Sequence, residues 1–278
     1  MSHVICVTSG GGDSISAGLM MLKEGHSVNF LNVDHGQKCA YAEKLSVEKI
    51  VSELIDRGYD AEITFVESRW LGILGGSGLT DDRIEVPDGL AGIYGSTMGQ
   101  IFTPGRNSLL LAIAACIAEV TEAEFITFGA NQSERGYADN TKDFLDAFTK
   151  VLEYSCLKIH PKVISPIWEM DKVEIYKWMF DNGFGWVTDY TWPCDNEPIK
   201  ISDPVIDRDD LIPCANCGCC RNRQMVFHIL EKMYPGQYKD GQVYYESKWF
   251  VDALLPTLRQ RGIPDRKWFK KYEGLICG

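Results

Sequence analysis

The chain reads as an α/β protein: a parallel sheet with helices on both faces, followed by a small cysteine-rich region near the C-terminus. Three observations carry this reading. Short apolar runs alternate with longer segments of helical periodicity; the first run leads straight into a glycine-rich turn; and five of the ten cysteines fall within 194–220. Strands separated by helices imply parallel pairing through right-handed crossovers.

Taken in order, residues 3–8 are an apolar strand and 14–25 a helix with Ile15, Leu19 and Leu22 on one face. Residues 27–33 form a second strand. Val47, Ile50, Val51 and Leu54 give 39–58 the i, i+3, i+4, i+7 spacing of an amphipathic helix, and 61–66 is a third strand. Residues 107–120 are apolar nearly all round, which predicts a buried helix. A fourth strand at 125–128 and helices at 141–155 and 170–181 complete the pattern. The chain divides into 1–190, an α/β domain, 191–224, a four-cysteine region, and 225–278, an extension. No internal repeat or low-complexity tract interrupts it.

Ligands in parallel sheets sit beyond the carboxyl ends of the strands. That places Ser9–Ser14, Asp34–Gln37 and Gly129–Gln132 around one crevice. In Ser9-Gly10-Gly11-Gly12-Asp13-Ser14 the glycines permit a sharp turn that aims backbone N–H groups at an anion, with two hydroxyls beside them. The loop is neither a Walker loop nor GxGxxG. Asp34-His35-Gly36-Gln37 alone is an ordinary turn. Residues 72–105 form a long glycine-rich loop, as binding loops often do. Thr103-Pro104-Gly105-Arg106-Asn107 brings Arg and Asn to a helix start, suited to phosphate or carboxylate; a capping Asn with a surface Arg is the alternative. The polar segment 129–140, with Tyr137, can stack a flat heterocycle and read its edge, or it is a solvated loop. Lys172 either reaches the crevice or lies exposed on its helix.

Net charge is −11, distributed unevenly. Residues 221–278 hold 11 Lys/Arg against 6 Asp/Glu, leaving −16 for residues 1–220. The acidic body argues against direct nucleic-acid binding. No apolar run approaches the about 18 residues of a membrane span, and the first residues lack a signal-peptide pattern, so a cytoplasmic, membrane-free chain is expected.

Ten cysteines in such a chain point to metal or thiol chemistry before disulfides. Cys6, Cys116 and Cys156 sit in apolar surroundings and are expected in the core. Cys214, Cys217 and Cys220 give C-x₂-C-x₂-C, and Cys194 completes four thiolates; Cys219 is an extra thiol that could replace Cys220. Four thiolates close a tetrahedron and leave no open position, so a structural Zn²⁺ is expected rather than a catalytic one. An iron–sulfur cluster lacks further supporting spacing.

Ser-Gly-Gly-x-Asp-Ser after a first strand resembles the pyrophosphate loop of the N-type ATP pyrophosphatases. With Asp34-x-Gly-Gln37, the 75–80 segment, Pro104-Gly-Arg-Asn107, Gly136-Tyr-x-Asp139, Pro166…Lys172 and Trp192-x-Cys194…Cys-x₂-Cys-x₂-Cys-Arg, the first 225 or so residues resemble the QueC family. The resemblance implies a Rossmann-like sheet of the adenine nucleotide alpha hydrolase type, a homodimer, and ATP-dependent conversion of 7-carboxy-7-deazaguanine and ammonia to the nitrile. It implies that Ser9, Gly10, Gly11, Gly12, Asp13 and Ser14 hold pyrophosphate, that Asp13 binds Mg²⁺, and that Arg106 and Lys172 complete an anion clamp. Asp34, Gln37, Asn107 and Gly129 would serve the nucleotide, and Asn131, Tyr137 and Asp139 the deazapurine. Cys194, Cys214, Cys217 and Cys220 would hold zinc.

Departures from the family pattern are His35 in place of an aromatic residue, Asn140 in place of Cys, a longer spacer before Cys214, and the tail with Trp249, Phe250, Trp268 and Phe269. They leave open a paralogue that couples the activated acid to another acceptor, or a zinc-organised binding module with a vestigial loop. A tRNA-thiolating pyrophosphatase is disfavoured by the acidic body.

Overall fold

The computed structural model describes residues 1–89, 98–131, 137–239 and 270–277, with 256 and 260. Gln132, Gly136 and the tail aromatics Trp249, Phe250, Trp268 and Phe269 lie outside the described residues. A five-stranded sheet forms the centre: β1 (His3–Val7), β2 (Ser27–Asp34), β3 (Ala61–Glu67), β4 (Phe125–Thr127) and β5 (Lys162–Ile164). Its order is β3-β2-β1-β4-β5, and every pairing is parallel. Ile5 on β1 lies opposite Asn29 on one side and Ile126 on the other.

Alternation along β1 assigns the two faces. Val4 and Cys6 join one core with α1 (Gly12–Lys23), α2 (Ala40–Asp56), α7 (Lys172–Asp181) and α8 (Gly218–Met233). Ile5 and Val7 join the other, with α5 (Arg106–Thr121) and α6 (Lys142–Ser155). Strand order grows outward from β1 in both directions, and a right-handed crossover then puts helices on opposite faces for the two directions. The arrangement is the Rossmann-like α/β fold expected from the sequence.

Two expectations need correction. The helix expected to be buried all round, α5, buries only one side, through Leu111, Ala114, Ala115 and Ala118. Its opposite side carries Ala112 and Cys116, both exposed, and Val120 at 78% exposure. An outer-layer helix has one sheet to pack on, and none of the described residues covers its far side. Cys116 is therefore not a core residue, whereas Cys6 and Cys156 are buried as expected. Strand β5 went unrecognised, because three residues carry no periodicity.

Short elements complete the described chain. Short helices α3 (Trp70–Leu74) and α4 (Met98–Ile101) lie within the long connection before α5. The long spacer between Cys194 and Cys214 folds into a small antiparallel ribbon, β6 (Ile199–Lys200) with β7 (Leu211–Ile212). The last described helix is α9 (Glu273–Cys277). Among the described residues, no helix is long and apolar enough to cross a membrane.

Candidate active site

Sheet order reverses between β1 and β4, the position beyond the strand carboxyl ends where ligands bind in parallel sheets. The loop leaving β1 lies there. Gly10 turns the chain at φ +74°, a conformation costly for a side chain, and its face is pressed against the Glu43 carbonyl and Ser46. The Ser14 hydroxyl sits within 3.1 Å of Thr8 Oγ1 and 3.3 Å of Ser9 Oγ, and accepts the Ser9 N–H at 3.2 Å. Thr8 Oγ1 in turn accepts the Gly10 N–H at 3.1 Å. Hydroxyls and amides thus converge at the N-terminus of α1, where the helix dipole favours an anion. From β4, Gly129 comes so close that a Cβ there would stand 2.9 Å from Ser14 Cα. The two loops meet only because that residue is glycine.

Lys172, the first residue of α7, forms an ion pair with Asp13, both side chains being largely buried (15% and 17% exposed). Asp171 caps this helix: its carboxylate accepts the Glu174 N–H at 3.0 Å, while Glu174 accepts the Asp171 N–H at 2.8 Å. Arg106 opens α5 and donates to Asn107 Oδ1 at 3.3 Å. Asn107 does not cap its helix; its amide donates to the Asp139 carbonyl at 3.0 Å and ties the α5 start to the 137–140 turn.

Asp34 and Gln37 are both engaged within their own loop region, Gln37 buried and Asp34 paired at the surface. Asp34 accepts the Gly36 N–H and the Arg69 guanidinium, at 2.9 and 2.7 Å. Gln37 donates to the Val33 carbonyl and to Glu43 and accepts the His35 N–H. Both shape the loop after β2. Burial, aided by the charge of Arg106, pushes the His35 imidazole down to about 4. Burial likewise pushes Glu43 up to about 7, against hydrogen bonds from Gln37 and Cys39 and the charge of Arg106. Neither His35 nor Glu43 stood out as chemistry in the sequence, since a lone charged residue inside a helix or turn carries no pattern.

On the far side of the crevice, Asn131 is fully buried and donates to the Gly129 carbonyl at 3.4 Å. Tyr137 stacks on Phe102, with centroids 6.1 Å apart and planes 11° from parallel. Phe102, absent from the sequence-based site, is 37% exposed, and the pair makes an aromatic platform beside Asp139. Asn140 is buried and donates its N–H to the Tyr137 carbonyl, closing the turn.

The four cysteines converge: all Sγ atoms of Cys194, Cys214, Cys217 and Cys220 lie within 4.8 Å of one another, with two pairs at 4.0 Å. Those are not disulfide distances. Four thiolates around one zinc sit about 3.8 Å apart, so the set fits that ion, and Cys219 stands outside it. Amides of Asn216 and Cys217 and the Asn196 side chain donate to Cys214 Sγ at 3.3–3.4 Å, as second-sphere donors to a thiolate do. The Trp192 backbone N–H, two residues before Cys194, donates to the Gly10 carbonyl at 2.8 Å and joins the four-cysteine segment to the Ser9–Ser14 turn.

A family model described as "Queuosine biosynthesis protein QueC" matches residues 3–231. The 7-cyano-7-deazaguanine synthase of Methanococcus maripaludis is 31% identical over 242 residues, spanning 84% of this chain and 97% of its own. The enzyme of that name from Methanothermobacter thermautotrophicus is 28% identical, over 86% of this chain and 100% of its own. The one from Prochlorococcus marinus is 26% identical, over 81% and 92%. With the family model spanning residues 3–231, which include Ser9–Ser14, the start of α5 and the four cysteines, this chain belongs to the QueC family.

Proposed function

We propose that the chain is an ATP-dependent ligase that turns 7-carboxy-7-deazaguanine and ammonia into 7-cyano-7-deazaguanine. The observation that supports it most is the hydroxyl- and amide-lined loop Ser9–Ser14 at the β1/β4 reversal, in a chain of this family. A carboxylate is a poor electrophile and its oxygen a poor leaving group. Its attack on the α-phosphate of ATP releases pyrophosphate and makes AMP the leaving group. Ammonia displaces AMP to give the amide. Attack of the amide oxygen on a second ATP releases pyrophosphate again, and loss of AMP with both amide protons leaves the nitrile.

In this reading the N–H groups of residues 11–14, with Ser9 and Ser14, hold the departing pyrophosphate, the Gly10 N–H being taken by Thr8 as it sets the turn, and Lys172 and Arg106 stabilise its charge. Asp13 is the carboxylate that would hold Mg²⁺, which supplies neutralisation of phosphate charge. The Phe102–Tyr137 platform stacks the deazapurine, and Asp139 suits the amidine edge of its guanine-like ring. Zinc held by Cys194, Cys214, Cys217 and Cys220 cross-links the segment that anchors Gly10 through Trp192. The product would feed deazapurine modification of nucleic acid, in the cytoplasm. A homodimer is part of the proposal, and the apolar side of α5 that is exposed among the described residues is the surface that supports it.

The test is product analysis by mass spectrometry with ATP, the acid and ammonia. AMP, pyrophosphate and nitrile are expected together, and Ser14→Ala or Asp13→Ala should abolish AMP formation with zinc still bound. AMP without nitrile would point instead to coupling with another acceptor, and no AMP at all to a binding module.

A further inference from the structure

The C-terminal segment lies beyond the family-matched residues 3–231, yet it ends on the helix that carries Lys172. Tyr272 and Ile276 are buried, at 6% and 2% exposure, in the core shared by α1, α7 and α8. What they deliver is polar. Lys271 Nζ donates to Asp171 Oδ2 at 2.8 Å and to Glu174 Oε1 at 2.6 Å. The Tyr272 hydroxyl donates to Asp171 at 3.2 Å to one carboxylate oxygen and 3.4 Å to the other. Asp171 and Glu174 are the two members of the capping box that starts α7, and the residue between the cap and the first full turn is Lys172.

We propose that Lys271 and Tyr272 are positioning residues for Lys172: the tail clamps the capping box of α7 and so holds the lysine against Asp13 at the ATP-phosphate loop. The proposal rests on the reading of that loop as an ATP site. Asp171 is 2% exposed, so its carboxylate has little contact with water and depends on the partners that the fold supplies. Lys271 is the cation the described structure places on it. Without it, the Asp171–Glu174 pair concentrates two negative charges in one turn, and the cap loosens. Lys172 is adjacent in sequence, so a displacement of the cap moves its ammonium group directly, and anion sites lose affinity steeply with misplacement of about 1 Å.

The experiment measures ATP binding by calorimetry, with Mg²⁺ and without acid or ammonia, on the full chain and its variants Lys271→Met, Tyr272→Phe and Lys271→Arg. Because neither acid nor ammonia is present, failure of the chain to make nitrile does not bear on the result. Lys271→Met is expected to weaken ATP binding about 5- to 10-fold and Tyr272→Phe about 2- to 3-fold, with Lys271→Arg recovering most of the affinity. Each is then repeated in a Lys172→Ala background. The tail substitutions should have no further effect there, since they act through Lys172. Full additivity with Lys172→Ala, or a lowered melting temperature with unchanged ATP affinity, would overturn the proposal and make the tail a structural strap.

Discussion

Glu43→Gln should change how stability depends on pH, and the size of the change follows from the site beneath the phosphate loop. Burial raises the carboxyl from its ordinary 4.5 to about 7. Between those values the unfolded chain has released the proton and the folded chain keeps it. The unfolded state then binds fewer protons, and stability falls as pH rises through this window. The difference between 4.5 and about 7 corresponds to about 3 kcal/mol, trimmed to about 2 kcal/mol by the solvent access left to a half-buried side chain. His35 works in the opposite direction: its imidazole is lowered from 6.5 to about 4, so the unfolded chain takes up a proton first and stability falls as pH drops through that range. The two contributions offset each other near pH 5–6 in the natural chain. Glutamine keeps the bond from Gln37 and removes the titration; any misfit against the Cys39 thiol is the same at all pH values. Urea unfolding of both zinc-loaded proteins at about pH 5 and about pH 8 isolates the effect, since His35 cancels in the comparison. The variant should gain about 2 kcal/mol relative to the natural chain between the two conditions. An equal difference at both pH values would show that Glu43 is already ionised and refute the reasoning.

Three further outcomes are expected. Cys214→Ser should lose the zinc, read as metal per chain by mass spectrometry, and should also weaken ATP binding, because Trp192 ties the four-cysteine segment to Gly10. Gly129→Ala places a methyl 2.9 Å from Ser14 Cα, a backbone atom that cannot step aside. Overpacking of this kind costs about 1–3 kcal/mol, and ATP turnover should fall at least about tenfold if the loops are forced apart, against no change if they are not in contact. Phe102→Ala removes half of the aromatic platform, worth about 0.5–1.5 kcal/mol of stacking. It should raise the KM for the deazapurine about 3- to 10-fold while leaving the KM for ATP unchanged.

Much of this protein was legible in its residue order. The alternation of apolar runs and amphipathic segments determined a parallel α/β sheet, since a strand buried on both faces and a helix buried on one side leave different periods in the chain. Ser9–Ser14 and the C-x₂-C-x₂-C run were equally readable, because their ligands are supplied by consecutive backbone amides or closely spaced thiols. Contacts that cross the sequence were not. Only the folded chain decided that Asp34 pairs with Arg69, that Gln37 bonds to His35 and Glu43, and that Asn107 holds the 137–140 turn rather than capping its helix. It decided that the Cys116 side of α5 is exposed among the described residues, which composition cannot tell, because an apolar helix looks the same whether one layer or two pack on it. It also decided that Lys271 and Tyr272 reach Asp171 from 100 and 101 residues away. Local pattern encodes what neighbours in sequence do together, whereas the orientation of Lys172, Phe102 and Glu43 comes from packing between elements that meet only after the sheet has closed.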